Sequence, residues 1–62
     1  MNPDQEIIQS AYQDQVKRLY ATLVLQYTDA RGATAGQQAA EQNFSTGLEI
    51  ARETRTRAIA LL

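Results

Sequence analysis

The chain has 62 residues, with six Lys and Arg against seven Asp and Glu for a net charge of -1, so it makes one small domain with no bulk attraction to nucleic acid or anionic lipid. It contains neither Cys nor His, which excludes disulfides and thiolate or imidazole metal sites. A lone chain of this size buries only about 60% of the surface its unfolded form exposes, so a second copy or a partner is expected.

The start Asn2-Pro3-Asp4-Gln5 carries the signals of a helix N-terminus. Asn2 is a good cap, Pro3 suits the first turn because its missing N–H would be unpaired there, and Asp4 meets the positive end of the dipole. Gln5 completes a capping box with Asn2. No helix breaker follows before Ala30, and Tyr12, Val16, Leu19, Leu23 and Ala30 recur in alternating steps of four and three. The same rhythm places Gln26, Gln9 and Gln5 on this seam, apolar in its middle and amide-bearing towards both ends.

Helical periodicity breaks only at Asp29-Ala30-Arg31-Gly32-Ala33-Thr34-Ala35-Gly36-Gln37. Gly32 can take the left-handed conformation that ends a helix, and Thr34 with Gln37 fits a capping box that opens the next. Gly36 reads with Gly32 as a turn or cap residue. The spacing therefore predicts an all-α, antiparallel two-helix hairpin, with a helix over about 3–30, a turn over about 31–34 and a helix over about 35–61.

The second helix repeats the rhythm with Ala40, Phe44, Gly47, Ala51, Thr54, Ala58 and Leu61. Two such seams folded on a turn near Ala33 pair residues whose numbers add to about 66 or 67. The layers are then Gln26 with Ala40, Leu23 with Phe44, Leu19 with Gly47, Val16 with Ala51, Tyr12 with Thr54, Gln9 with Ala58 and Gln5 with Leu61. Large faces small in most of them, which a close antiparallel pair requires. The apolar end Ala58-Ile59-Ala60-Leu61-Leu62 is expected to pack on Ile7 and Ile8, or to be covered in a larger assembly.

Beside the seam lies a second apolar flank of Tyr20, Val24 and Tyr27 on one helix and Leu48, Ile59 and Leu62 on the other. One hairpin cannot bury both stripes, so the flank is read as an interaction surface that gives a four-helix bundle with a second copy, a homodimer, or receives a protein partner. Lys17, Arg52 and Arg55 fall on the same flank and form a weak nucleic-acid patch, which Asp14, Glu49 and Glu53 largely neutralise.

No catalytic constellation is present. The carboxylates and the hydroxyls of Ser10, Ser45 and the three tyrosines have no base beside them, and Gly32 and Gly36 lack the strand and the GK[ST] ending of a phosphate loop. No enzyme activity, cofactor or metal is expected. The longest apolar run, Leu23-Val24-Leu25, is far short of a membrane span, and Met1-Asn2-Pro3-Asp4 lacks the features of a signal peptide. A soluble, cytoplasmic interaction module serving as regulator or adaptor is the expectation. The alternatives are an RNA-binding regulator that uses the basic flank of a dimer, and a structural subunit of a filament or secretion assembly.

Overall fold

The computed structural model describes residues 2–62 and shows two α-helices, α1 over Pro3–Asp29 and α2 over Thr34–Ala60, packed as an antiparallel hairpin. The Asn2 side chain caps α1 by accepting from the Asp4 N–H at 2.9 Å, and Pro3 opens the first turn. Gln5 contributes its backbone, donating to the Asn2 carbonyl at 3.1 Å. The cap is therefore the Asn2 half of the expected box.

The reversal lies one residue earlier than expected, over 30–33, and is closed by a backbone turn in place of the expected capping box. The Ala33 N–H donates to the Ala30 carbonyl at 2.8 Å and Gly32 has φ +83°, the only positive φ among the described residues. A four-residue turn over 30–33 with positive φ confined to its third position is the type II pattern, which favours glycine there. Because this turn closes on Ala33, that residue becomes the extended N-cap of α2 (φ -114°, ψ 101°), with no side chain capping the helix. Thr34 is thus the first helical residue, not the cap, and α1 ends at Asp29.

The register is the expected one. A β-carbon placed on Gly47 would lie 2.5 Å from Leu19 Cδ2, so Leu19 fills the space that Gly47 leaves open. Gly36 is helical and performs the same role nearer the turn, where a β-carbon would meet that of Ala30 at 2.7 Å. It is a close-approach residue, not a cap. Leu23 and Phe44 are half-buried, as is Val16, and among the described residues the buried ones are Ala40 at 2% exposure and Ala51 at 1%. Small side chains bring the helices together, and larger ones flank them.

Towards the free ends the contact line departs from a strict heptad. Ile8 is half-buried while Gln5 and Gln9 are exposed, and Arg55 is half-buried while Thr54 is exposed. Straight helices have 3.6 residues per turn, so an apolar stripe drifts by about 20° for each seven-residue repeat unless the pair supercoils. The drift swaps Gln9 for Ile8 and Thr54 for Arg55. Leu61 is the C-cap of α2 and 87% exposed, and Ile7 is also exposed, so among the described apolar residues at this end Ile8, Ala58 and Ile59 are the half-buried ones.

Two helices side by side make a plate. Its principal extents are 47 × 15 × 9 Å and its radius of gyration is 14.5 Å, against about 11 Å for a compact domain of this length.

Candidate interaction surface

Each broad face of the plate takes one flank of each helix. Tyr20, Val24 and Tyr27 lie along α1 in steps of four and three, just beside the seam residues Leu19 and Leu23, so they share one face. With Leu23, Thr28, Arg31 and Gln37 they line a shallow apolar groove at the turn end. Tyr20 is 62% exposed, Val24 45% and Tyr27 36%. Single exposed apolar residues need no explanation, but three in one groove mark a surface.

The Tyr27 hydroxyl donates a short hydrogen bond to the Glu41 carboxylate across the helix pair. That bond shows which side of α2 continues this face. It also raises the Tyr27 phenol above its ordinary value of 10.0, first through the hydrogen bond to Glu41, then through lost solvation and the neighbouring charge. From Glu41, steps of seven, four and seven reach Leu48, Arg52 and Ile59, a single stripe on α2. Leu48 and Ile59 are half-buried and Leu62, beyond the helix end, is exposed. The flank is thus open at Tyr20, Val24, Tyr27 and Leu62, and partly used by the hairpin itself at Leu48 and Ile59.

Of the basic residues singled out from the sequence, Lys17 and Arg52 are exposed. Arg55 is instead half-buried, with its guanidinium carbon 4.3 Å from the centre of the Tyr12 ring. A cation held over an aromatic face is occupied within the fold. The structure therefore does not bring Lys17, Arg52 and Arg55 together as three equally free cations. Arg52 shares a surface hollow with Glu53, Thr56 and Arg57.

Reading the sequence alone does not single out Glu41 or Arg31 as parts of this face. Arg31 lies in the groove and Glu41 holds Tyr27, and the signal for both is their seven-residue spacing from Val24 and Leu48. Leu25 and Ile50 are exposed as well, but neither lines the groove.

No group of three or more His, Cys, Asp and Glu that could hold a metal forms among the described residues, and none of the described helices is long and apolar enough to cross a membrane. Comparisons of the chain with protein-family models, curated proteins and solved structures give no match.

Proposed function

We propose that this chain is a non-enzymatic helical-hairpin interaction module that self-associates into a homodimeric four-helix bundle and acts as a regulator or adaptor by binding another protein. The observation that carries the reading is the surface left open. The hairpin exposes 4911 Å², whereas a compact monomer of 6.9 kDa exposes about 4000 Å². The excess of about 900 Å² is close to the roughly 800 Å² that each partner buries in a standard protein interface. A second plate laid on the Tyr20, Val24 and Tyr27 face would cover it.

The energetic direction is the same. Burying one large apolar side chain is worth about 1.5 to 3 kcal/mol, and the face offers several such side chains in one contiguous area. A two-layer arrangement of helix pairs is also the smallest in which each helix buries a full stripe.

The test is Val24→Glu, which places a carboxylate in each half of the interface. Analytical ultracentrifugation should show a wild-type dimer and a monomeric variant, with circular dichroism showing reduced helicity in the variant, because an isolated hairpin is marginal. A well-folded wild-type monomer indifferent to the change contradicts the reading. Large sedimenting species would favour open, head-to-tail assembly instead.

A further inference from the structure

We infer that two copies stack on this face in antiparallel orientation, Glu6 of each meeting the partner's Arg31 and Glu41 of each meeting the partner's Arg52. The inference rests on the self-association proposed above and concerns its geometry. Two files of residues cross the face. On α1, steps of seven link Glu6, Gln13, Tyr20 and Tyr27; the drift of about 20° per step carries Glu6 towards the outer edge of the face, where it shares a hollow with Gln13, and Arg31 lies a turn beyond Tyr27 in the same groove as Tyr20 and Tyr27. On α2 the file is Glu41, Leu48, Arg52 and Ile59, tied to this face by the Tyr27–Glu41 bond.

Each file carries one acid and one base on opposite sides of the molecule's middle. On α1 the acid is at the free end and the base at the turn. On α2 the acid is nearer the turn and the base nearer the free end. A two-fold axis perpendicular to the long axis exchanges the ends of the plate, so it sets every acid against a base, as a self-complementary interface requires.

One axis serves both helices. The midpoint of Glu6 and Arg31 falls beside Leu19, and the midpoint of Glu41 and Arg52 falls beside Gly47. Leu19 and Gly47 face each other across the hairpin. The two midpoints therefore share one level, and a single axis through that layer satisfies all four pairs. Tyr20 and Leu48 lie one residue from that layer, so both copies contribute them to an apolar centre, and the same operation brings Lys17 over the partner's Tyr20 and Val24 over the partner's Gln13. Parallel stacking instead sets α1 of one copy along α2 of the other with like ends together. Arg31 then meets the uncharged start of α2, and Glu41 lies over the partner's Val24. Exposed ion pairs add little affinity, but they penalise the wrong orientation.

The chain itself allows a clean test. Glu41→Arg carries only bases at these two α2 positions and Arg52→Glu only acids, so each alone should dimerise at least about tenfold more weakly than wild type. An equimolar mixture re-forms both pairs and should regain the wild-type mass in sedimentation. Glu6→Arg mixed with Arg31→Glu repeats the test without touching the Tyr27–Glu41 bond. Because the chain has no cysteine, a nitroxide on Thr34→Cys reports orientation directly. Antiparallel stacking puts the labels at opposite ends, more than about 30 Å apart given the 1.5 Å rise per helical residue, and parallel stacking puts them together. A wild-type monomer overturns the dimer and this pairing with it. A wild-type dimer with neighbouring labels, or with mixtures that stay weak, overturns the pairing alone.

Discussion

At the scale of single residues the two helical glycines are not equivalent. Gly47 faces the tip of Leu19, a side chain that can rotate away, whereas Gly36 faces the β-carbon of Ala30, which moves only with its backbone. Alanine improves helix propensity by about 1 kcal/mol at either site. Gly47→Ala should therefore be near neutral, because that gain offsets a small repacking of Leu19, while Gly36→Ala should lower stability by about 1 kcal/mol or more as the helices are forced apart at the turn. Gly47→Leu should cost about 1 to 3 kcal/mol, since a whole isobutyl group would compete with Leu19 for the space beside residue 47. Urea unfolding of the three variants checks the order, and equal tolerance of Gly36→Ala and Gly47→Ala would mean that the turn end is not close-packed. Asn2→Ala removes the single side-chain cap on α1 and should cost about 0.5 to 2 kcal/mol.

At the scale of the elements, the turn and the Tyr27–Glu41 bond join α1 to α2. Gly32 holds φ +83° with open space around it, so the penalty for replacing it is one of backbone conformation and not of crowding. Gly32→Val should be destabilising, and Ala35→Ser, at an exposed position in the first turn of α2, should have little effect. The phenol of Tyr27 loses its hydrogen bond when it ionises and then faces the Glu41 carboxylate. Its pKa in the fold lies above the ordinary 10.0, so whatever the bond adds to stability is present below that value and is lost as pH rises through the raised one. Spectrophotometric titration should show one tyrosine ionising late, and Glu41→Gln should return it towards 10.0.

The hairpin was legible because helix signals run unbroken on both sides of one glycine-bearing stretch, and because Leu19 opposite Gly47 sets the register. The turn was read one residue late, over 31–34 instead of 30–33, since the β-turn that makes Ala33 the cap depends on a backbone path that the Thr34 and Gln37 spacing does not encode. The free ends were misread for a geometric reason, because a strict heptad extrapolated over many turns accumulates the drift that exchanges Thr54 for Arg55. That Tyr20, Val24 and Tyr27 lie exposed together on one face was legible from their spacing. That Glu41 and Arg31 share this face was not, because both look like ordinary solvated residues until the Tyr27 hydroxyl ties the two flanks together.

At the scale of the whole molecule, the decisive property is shape. Among the described residues a plate 9 Å thick buries two alanines and leaves one face with three apolar side chains in a groove, and in the dimer proposed above the acids and bases of that face would meet those of a second copy. Sedimentation equilibrium of the wild-type chain at two concentrations tests the account most directly. Twice the 6.9 kDa of one chain, with a shift towards the single-chain mass and a loss of helicity on dilution, is the expected result, and a fully helical 6.9 kDa species at both concentrations would contradict it.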